Sequence, residues 1–587
     1  MAAHRSFQIL LALVLFAGLS GAQGQNSMDI AKPGSEPINV NATAAPDHIT
    51  LSWTSDPKTT QTVTWRTDTT VKTGVVQYGT KRGLDDKNKL SVTAQANRLK
   101  TDLGDELIHT ATLTGLIPGT RYYYRVGDGT KNCSHVSSFA TENSSTNQFK
   151  FLVFGDTQSG NDKDPDYSLW QSTVQNAYQA NPDARFFTVV GDEAQAGRSN
   201  VHWNYWFAAC KGVIDSISYM PVEGNTECRD MNKTHGEPTI YIGQFKVPPN
   251  GPYKNCEAYS YDYGNVHFVV LDSQLREEEK IHPELLNDEK AWLEKDLSRT
   301  EKEWKVAFWH KPPYFSRAYR TNNLTKTAFT PIIDKHHVDM VFNGHDHAYS
   351  RSYPINDDQI VSSPALGTVY VIAGRSGAKC LKDNEQKIWN SDFLDPQDMP
   401  NYIVVDVNGS RMNLKTYKMD GTQIDDYTID RTNGDTPRTV VPSRYNKPWL
   451  AVNGILLNRP LMPTSPCRIN NTWYLPIKPV VEFLGGSESV SSNDETLSLI
   501  VENYEDNIIW SDEEVHTVVL TNGSTKATQD NVTISLPDSV VVDSVVVDSD
   551  RNFLISADDM RTLFGFSWRY DSDRNILSLI NPSKIGE

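Results

Sequence analysis

The chain has 587 residues, of which 38% are hydrophobic and 10% aromatic. This length predicts several domains rather than one core, and the composition excludes a largely disordered chain. The formal net charge of −17 argues against general nucleic-acid binding, because phosphate backbones attract basic surfaces. A phosphate-bearing substrate stays compatible with this charge, since a bound metal ion supplies positive charge locally.

Residues 1–25 have the pattern of a secretory signal peptide. Arg5 precedes the apolar run ILLALVLFAG, which is too short to span a bilayer, and the small residues of SGAQG follow. A buried N-terminal helix is the alternative, which the polar stretch QGQNS disfavours. No later segment reaches transmembrane length, so we expect a secreted, extracellular or cell-surface protein.

The six cysteines then lie in an oxidising compartment, where their wide scatter is typical of one or two disulfides. No two of them form a CxxC pair, which argues against a cysteine zinc site. Asn-x-Ser/Thr sites, for example at Asn41, Asn143, Asn232 and Asn323, would be glycosylated in a eukaryotic host.

Residues 44–143 are predicted to form an all-β sandwich. Short stretches rich in β-branched and aromatic residues, such as HITLSWT, TQTVTWRTD and RYYYRVGDG, alternate with turn residues. The segment HTATLTGLIPGTRYYYRVGDG resembles a strand pair of a fibronectin type III-like domain. Taken alone, this module is best interpreted as a spacer.

The pattern changes within residues 147–432, where six short apolar runs each end in a polar residue or cluster. These runs are FKFLVFGD, FFTVVGD, SYMPVEGN, VHFVVLDS, WKVAFWH and VDMVFNGH. They read as strands buried on both faces, and stretches with helical periodicity, such as PELLNDEKAWLEKDL, lie between them. This pattern predicts a layered α/β domain that presents polar side chains where its strands end.

Residues 445–585 contain a weak internal repeat. The stretch YLPIKPVVEFLGG matches FLISADDMRTLFG in its apolar positions and closing glycine, and DETLSLIV then matches DRNILSLI. Each copy predicts a strand, an amphipathic helix and a hairpin, and therefore an α+β repeat domain. The copies resemble the small domain named after the N-terminal domain of copper amine oxidases. That resemblance implies surface spacing or cell-surface attachment, and no copper chemistry.

The strand-end residues of the central domain form a candidate metal-ligand set. Carboxylate, amide and imidazole ligands suit two divalent or trivalent first-row metal ions, and an aspartate between the half-sites can bridge both. A Gly-Asp pair or a single histidine would alone be interpreted as a turn or a core residue. The motif FNGHDHAYSRSYP differs, because two histidines at i and i+2 after a strand-end glycine are a poor choice for packing. The set comprises Asp156, Asp192, Asn225, His310, His345 and His347.

The ordered motifs FGDTQ, VVGDEAQ, EGNTE, AFWHKPPYF and NGHDHAYSRSYP resemble those of the calcineurin-like metallophosphoesterases. Coupling to an N-terminal fibronectin-like domain resembles the purple acid phosphatase branch, over roughly residues 44–430. The resemblance implies a four-layer α/β sandwich and a dinuclear centre of Fe, Zn or Mn.

The resemblance also implies a role for each motif residue. Asp156 and His347 correspond to first-metal ligands, and Asp192 corresponds to the bridging aspartate. Asn225, His310 and His345 correspond to second-metal ligands. Asp346, between the two histidines, is not assigned as a ligand.

Two positions depart from the purple acid phosphatase pattern. Gln195 stands where the family has a metal-binding tyrosine, so we expect a colourless protein that is less committed to Fe(III). Gln158 is a second candidate amide ligand. Thr226 stands where the family has a histidine that assists the leaving group, and a hydroxyl does not titrate near neutral pH.

Three residues are alternative sources of the missing acid–base group. His202 lies in a predicted helix and is interpreted as packing beside Trp203, with a substitute acid as the alternative. His235 and Glu227 are further candidates, for which solvated loop positions are the preferred interpretation.

The preferred hypothesis is a secreted, acid phosphatase-like phosphoesterase acting on phosphate mono- or diesters. A metal-bound hydroxide attacks in line, with Asp192, Asn225, His345 and Thr226 as the catalytic positions. Aryl phosphates and diesters should outperform alkyl monoesters. The alternative is a catalytically degenerate, metal-binding surface or wall-associated protein, which Thr226 and Gln195 favour.

Overall fold

A computed structural model of the chain describes residues 41–432 and 448–580. Its gaps are 85–86, 88, 254, 318–322, 383, 385, 388, 396, 453–454, 458–464, 484–485, 491–495, 502–515, 543–552 and 573–574. The proposed signal peptide lies outside the described residues. Among the helices of the described residues, none is both long and apolar enough to cross a membrane.

The N-terminal region is all β, as the sequence predicts. Its eight strands form two four-stranded sheets, ordered β1-β2-β6-β5 and β4-β3-β7-β8. Trp65 and Tyr124, one from each sheet, are fully buried in a shared apolar core. The strands are β1 (Asp47–Ser52), β2 (Gln61–Asp68), β3 (Val75–Gly79), β4 (Leu90–Thr93), β5 (Gln95–Thr101), β6 (Gly104–Leu113), β7 (Arg121–Gly127) and β8 (Ser137–Ala140).

The central region alternates strands and helices, and all six predicted apolar runs contain a strand. Its elements are β9 (Gln148–Phe154), α1 (Ser168–Ala180), β10 (Ala184–Val189), α2 (Asn200–Cys210), β11 (Ser218–Tyr219), α3 (Thr239–Gln244), β12 (Tyr259–Tyr263), β13 (Val266–Val270), α4 (Leu285–Leu297), β14 (Trp304–Phe308), α5 (Asn323–His336), β15 (Met340–Asn343), β16 (Tyr349–Ser352), β17 (Ile355–Asn356), β18 (Gln359–Ile360), β19 (Val369–Ala373), β20 (Asn390–Leu394), β21 (Asn401–Asn408), β22 (Arg411–Lys418) and β23 (Gln423–Asp430).

Two large sheets organise these elements. One has the order β11-β10-β9-β21-β22-β23, and the other has the order β12-β13-β14-β15-β19-β16-β20. Strands β9, β10 and β11 run parallel, as do β13, β14, β15 and β19. Parallel strands present their carboxyl ends at one edge of a sheet, so the polar residues that follow them are collected there.

Phenylalanines pack the two sheets face to face. The Phe151 ring of β9 lies 5.4 Å from Phe268 of β13 and 6.5 Å from both Phe308 of β14 and Phe342 of β15, at interplanar angles above 80°. Edge-to-face pairs of this kind are favourable beyond the area they bury. The apolar runs are therefore strands buried on both faces, as predicted.

Helices cover the outer faces and complete four layers. Trp170 of α1 lies 5.1 Å from Phe154 of the first sheet, and Phe329 of α5 lies 5.8 Å from Trp309, which follows β14 in the second. Strand β11 is shorter than the run SYMPVEGN suggests. Met220 still donates its N–H to the Phe187 carbonyl at 3.1 Å, but Pro221 has no N–H to continue the ladder.

The N-terminal domain is anchored to helix α2, which fits poorly with a role as a passive spacer. The buried Arg66 guanidinium donates to Asn204 Oδ1 at 2.6 Å, and Asn200 donates to Glu106 Oε2 at 2.9 Å. Asp102 accepts the N–H of Asn200 at 2.7 Å, at the first residue of the helix. Charge-assisted hydrogen bonds of this kind fix one domain against the other.

The C-terminal region is largely β. Its sheets have the orders β25-β24-β36-β35, β26-β27-β34-β33 and β28-β29-β30-β31-β32. The elements are β24 (Trp449–Val452), β25 (Ile455–Leu456), β26 (Cys467–Ile469), β27 (Thr472–Pro476), α6 (Ile477–Phe483), β28 (Ser487–Val490), β29 (Thr496–Val501), β30 (His516–Thr521), β31 (Lys526–Gln529), β32 (Val532–Ser535), β33 (Val541–Val542), β34 (Phe553–Ser556), α7 (Ala557–Phe564), β35 (Ser567–Asp571) and β36 (Ile576–Ile580).

The two repeat copies follow the same order of elements. Each has a strand, a helix and two further strands, and the strands that open the copies, β27 and β34, pair antiparallel. Helix α7 begins where Ser556 Oγ accepts the Asp559 N–H at 3.0 Å, and it ends at Gly565 with φ of 71°. The likeness of these copies to the copper amine oxidase domain stays a prediction.

The expected disulfides are absent from the structure, and that prediction was wrong. All six cysteines are present as thiols, and all lie among the described residues. Three of them are buried in separate surroundings: Cys210 donates to the Trp206 carbonyl, Cys228 to Glu223 and Cys256 to the Tyr241 carbonyl. The domains therefore depend on their apolar cores rather than on cross-links.

Candidate metal centre

All six predicted ligands follow strands of the two central sheets. Asp156, Asp192 and Asn225 come after β9, β10 and β11, and His310 comes after β14. His345 and His347 follow β15. Two groups of these side chains have ligand atoms within 4.8 Å of one another.

The first group consists of Asp156, Asp192 and His347, which are all buried. His347 Nε2 lies 2.9 Å from Asp156 Oδ2. The other imidazole nitrogen, Nδ1, lies 2.9 Å from the Lys379 carbonyl. A backbone carbonyl at Nδ1 fixes the tautomer that leaves Nε2 available as a ligand.

The second group consists of Asp192, His310 and His345. His310 Nε2 lies 3.3 Å from Asp192 Oδ1 and 3.0 Å from His345 Nδ1. Asn225 Oδ1 lies 3.2 Å from His310 Nε2, which places the predicted amide ligand in this group. The Val190 carbonyl lies 2.8 Å from His310 Nδ1 and orients that ring as well.

Asp192 belongs to both groups. A carboxylate shared by two ligand sets has the geometry of a bridge between two metal ions. Its Oδ1 accepts the Thr226 N–H at 2.9 Å, and its Oδ2 accepts from Gln158 Nε2 at 2.7 Å. Burial alone would raise the pKa of Asp192, but nearby His310 and Lys379 and the Thr226 hydrogen bond lower it to about 2.

Three ligand residues adopt left-handed backbone conformations. Asp192, His345 and His347 have φ of 58°, 75° and 61°. Residues with a side chain rarely adopt these angles, and such strain is concentrated at functional sites. The surrounding fold holds the three side chains where relaxed strand ends would not place them.

The glycines before the ligands leave no room for a side chain. A Cβ at Gly224 would lie 2.1 Å from the Asp192 nitrogen, and one at Gly344 would lie 2.6 Å from Asp156 Oδ1. Glycine is therefore required at both positions because the ligand-bearing loops touch one another there. The Gly-Asn pair of EGNTE brings Asn225 to the centre in this way.

Glu227 binds the backbone of the loops that carry the ligands, a role that the sequence did not indicate. It lies in a turn, as expected, but it is buried, so the predicted exposure to solvent was wrong. Its carboxylate accepts the N–H groups of Asp192 and Gly224 at 2.9 Å and of Ala194 at 3.0 Å. Burial, together with nearby Glu193 and Asp192, raises the pKa of Glu227 well above its usual range.

Thr226 is buried, with no exposed surface. Its hydroxyl has no hydrogen-bond partner among the described residues, whereas its N–H binds Asp192. The backbone of Thr226 thus has a visible function in the centre. Its side chain occupies the position at which the sequence comparison expects a histidine.

The two glutamine side chains have different surroundings. Gln158 donates to Asp192, while its Oε1 is buried without a hydrogen-bond partner among the described residues. Gln195 Oε1 accepts the Gly160 N–H at 3.0 Å, and its Nε2 donates to Asp162 at 2.9 Å. Gln158 therefore has an oxygen available for a metal ion, whereas the Gln195 amide is occupied at both ends.

The other acid–base candidates lie away from the ligand groups. His202 is buried, with its ring nitrogens 3.1 Å from the Tyr167 hydroxyl and the Asp162 carbonyl, which agrees with the packing interpretation. His235 is exposed in its loop, as expected.

Asp346, the residue between the two histidines, accepts the Ser316 N–H at 2.6 Å and so supports the neighbouring loop.

The donor set fits two metal ions. Gln158 Oε1 is buried and accepts no hydrogen bond within the described part of the chain, and buried Asp156 Oδ2 faces His347 Nε2 at 2.9 Å. Asn225 and His345 are the half-buried members of the ligand set. The second half-site is therefore the side from which solvent and a substrate can approach.

Comparison with known families agrees with this geometry. Residues 46–141 match the model described as purple acid phosphatase, N-terminal domain, and residues 149–349 match calcineurin-like phosphoesterase. The central residues are thus similar to calcineurin-like phosphoesterase domains. Homologues of this architecture are hydrolases of phosphoric ester bonds, and these matches support the same enzyme class here. The purple acid phosphatase family uses a dinuclear metal centre, which the two groups sharing Asp192 match.

Individual relatives include purple acid phosphatase 15 of Arabidopsis thaliana. It is 26% identical over 394 residues, which cover 59% of this chain and 69% of the relative. Human acid phosphatase type 7 is 26% identical over 367 residues, covering 57% and 79%. A solved purple acid phosphatase from yellow lupin (Lupinus luteus) seeds has a TM-score of 0.54 at 20% identity, covering 68% of this chain and 78% of that one. That likeness supports the fold.

Proposed function

We propose that the protein is an exported, acid phosphatase-like phosphoesterase that hydrolyses phosphate mono- or diesters at a dinuclear centre. The observation that carries this proposal is the sharing of Asp192 by two ligand groups. When bound, the metal ions, which we expect to be Fe, Zn or Mn, supply Lewis-acid activation of water and of the phosphoryl group.

The protein groups around the centre position the reactants. Gln158 and the Thr226 N–H hold Asp192 from two sides, so its carboxylate has one orientation. Half-buried Asn225 and His345 would hold the second metal ion on the side from which the substrate approaches. The positive charge of Lys379 lowers the pKa of Asp192 after the larger effects of burial and His310, and a positive charge near the centre favours an anionic ester.

The rate of hydrolysis should depend on the leaving group, because position 226 carries no acid. General-acid assistance is commonly worth ~10²–10⁴ in rate, and a hydroxyl without a titrating group does not supply it near neutral pH. Substrates with good leaving groups should therefore lose the least rate. Turnover of an aryl phosphate should exceed that of an alkyl monoester, and Asp192→Asn should abolish both.

The second candidate is a catalytically degenerate metal-binding surface protein. The buried hydroxyl of Thr226 and the occupied amide of Gln195 favour it. Assays with added Mn, Zn or Fe distinguish the candidates. Hydrolysis by the parent chain, or by a Thr226→His variant, supports the enzyme, whereas its absence in both supports the degenerate protein.

Export and surface attachment belong to the same proposal. The apolar N-terminal stretch supports secretion, and the C-terminal repeats support attachment to a cell surface. Fractionation of cells that express the full chain tests both statements. Protein in the medium or on the surface is expected, and retention in the cytoplasm would contradict export.

A further inference from the structure

A second cluster of acidic side chains lies buried behind the Asn225 loop. It contains five carboxylates, each with 0% of its surface exposed. They come from the end of β11, the loop before β12, the end of β13, the following segment and helix α4. The members of this cluster, called here the inner acidic cluster, are Glu223, Glu257, Asp272, Glu278 and Glu289.

Ligand atoms in the inner acidic cluster converge around Glu278. One set with atoms within 4.8 Å of one another consists of Glu223, Cys228 and Glu278. A second set consists of Glu257, Glu278 and His282, of which His282 is half-buried at the edge. Glu278 therefore belongs to both sets, much as Asp192 does in the dinuclear centre.

Among the described residues, each of the five carboxylates has one oxygen with no hydrogen-bond partner. These atoms are Glu223 Oε2, Glu257 Oε1, Asp272 Oδ2, Glu278 Oε2 and Glu289 Oε2, and the Oε1 atom of Gln274 is in the same state. An unpaired buried carboxylate is among the most costly groups a protein can contain. Six unpartnered oxygens in one region thus indicate a missing positive partner.

The other oxygens of the cluster are held by the chain. Asp272 accepts the Gln274 N–H at 2.7 Å, and Glu289 accepts the Asp272 N–H at 2.8 Å. The Cys228 thiol donates to Glu223 Oε1 at 3.0 Å. These contacts fix the carboxylates in place and leave the unpartnered oxygens as the free side of each group.

No lysine or arginine forms a salt bridge with the five carboxylates in the described part of the chain. The nearby Lys311 ammonium is paired with Glu277 instead, at 2.7 Å. Burial and the neighbouring carboxylates raise the pKa of Glu278 to about 10, and burial raises the pKa values of Glu257 to about 8 and Asp272 to about 7. A bound cation would offset both the burial and the weaker repulsion that raise these pKa values.

We propose that the inner acidic cluster binds a structural divalent cation through oxygen ligands, as Ca²⁺ does. Ca²⁺ takes 6–8 oxygen ligands, mostly carboxylates and carbonyls, and the two sets around Glu278 offer it the carboxylates of Glu223, Glu257 and Glu278. The cation would brace the loop that carries Asn225, because Glu223 lies two residues before it. Gln274 Nε2 also donates to the Glu223 carbonyl at 3.1 Å.

Thermal unfolding of the full chain after chelation, with Ca²⁺ added back, tests the proposal. A ligand that binds only the folded state raises Tm with its concentration. We expect added Ca²⁺ to raise the Tm of the parent chain by several degrees and to leave the Tm of Glu278→Gln unchanged. Glu279→Gln is the matched control, since Glu279 is the exposed neighbour of Glu278 and should leave the response unchanged.

Two further measurements separate this site from its alternatives. The same Ca²⁺ response is expected in Asp192→Asn, where the dinuclear centre is broken, and about one tightly bound Ca²⁺ per chain is expected in Asp192→Asn by elemental analysis. A response lost in Asp192→Asn would overturn the proposal, because the ion would then occupy the dinuclear centre.

Two other outcomes would also overturn it. In the first, Zn²⁺ raises Tm where Ca²⁺ does not, and Cys228→Ser removes the effect. That result would mean that a transition metal is coordinated by the thiol. A parent chain that gains no stability from any cation, and that Glu278→Gln stabilises, would mean that the carboxyl groups are buried in their neutral form. Phosphatase activity does not enter these readouts, so their failure leaves the proposed function untouched.

Discussion

Thr226 and Gln195 stand where the resemblance to purple acid phosphatases predicts a histidine and a tyrosine. The hydroxyl of Thr226 is buried and unpartnered, and the Gln195 amide links the Gly160–Asp162 loop to the second motif. The Gln195 amide therefore has a structural role, whereas the Thr226 hydroxyl has no partner among the described residues. Their contributions to catalysis can be measured separately from the contribution of the metal ligands.

The variant Thr226→Val measures what the hydroxyl contributes. It keeps the shape and the Asp192 hydrogen bond from the backbone, and it removes a buried hydroxyl that has no partner to lose. We expect kcat/KM within about threefold of the parent and a Tm that does not fall. A loss of ~10²–10⁴ in kcat with unchanged Tm would instead show that the hydroxyl assists the leaving group.

The absence of a tyrosine at position 195 predicts the colour of the iron-loaded protein. A neutral amide gives no phenolate-to-iron charge transfer, and the Gln195 amide is occupied by Gly160 and Asp162. The visible spectrum of protein reconstituted with Fe(III) should lack a purple band, with bound iron counted in the same sample. A strong band would show that another phenolate reaches the metal.

At the scale of elements, loops at the carboxyl ends of parallel strands are tied together by Glu227. Its carboxylate accepts three N–H groups from two different loops. Glu227→Ala leaves these donors buried and unpaired, at ~1–3 kcal/mol for each donor. We expect a severe fall in Tm and in metal content.

Glu227→Gln is the companion variant, because one amide oxygen still accepts hydrogen bonds at the same place. It should retain more stability than Glu227→Ala, as measured by thermal unfolding. Equal stability of the parent and Glu227→Ala would contradict the bracing role.

Helix α4 is attached to the second sheet by a charged histidine. His267 of β13 lies between Asp262, at 2.7 Å, and Asp296 of α4, at 2.9 Å. Although burial lowers the pKa of His267, the hydrogen bonds that its ring donates to the two carboxylates raise the pKa to about 9 from its ordinary 6.5. This interaction stabilises the fold fully below about pH 6.5, and the stabilisation is lost as pH rises through 9.

The pH dependence of unfolding tests this attachment. Between pH 6.5 and 9 the parent should lose on the order of 1–2 kcal/mol, after discounting for the half-exposed Asp262. His267→Gln does not titrate and should lose that part of the slope. Parallel pH profiles of the two proteins would contradict the assignment.

For the whole molecule, the sequence indicates candidate ligands and leaves out the residues that support them. Strand-end motifs identify Asp156, Asp192 and His310 because each motif is local and parallel strands bring their ends together. The contribution of Lys379 depends on a distant loop, and the burial of Glu227 depends on three backbone donors. Neither follows from neighbours in the sequence.

The inner acidic cluster was missed for the same reason. Its members are separated along the chain and look like ordinary solvated acids until the fold buries them together. The prediction of disulfides failed because the spacing of cysteines along the sequence does not show which of them lie close together in the fold. The C-terminal repeat was visible, because both copies keep one pattern of apolar positions.

The central claim is that Asp192 bridges two metal ions that act on phosphate esters. Its most direct test is aryl phosphate hydrolysis by metal-reconstituted parent chain and Asp192→Asn, with exposed Asp164→Asn as control. We predict turnover in the parent and control, and a loss of both turnover and one or both centre metals in Asp192→Asn. Equal hydrolysis by all three proteins, or none by a parent that holds both metals, would contradict the account.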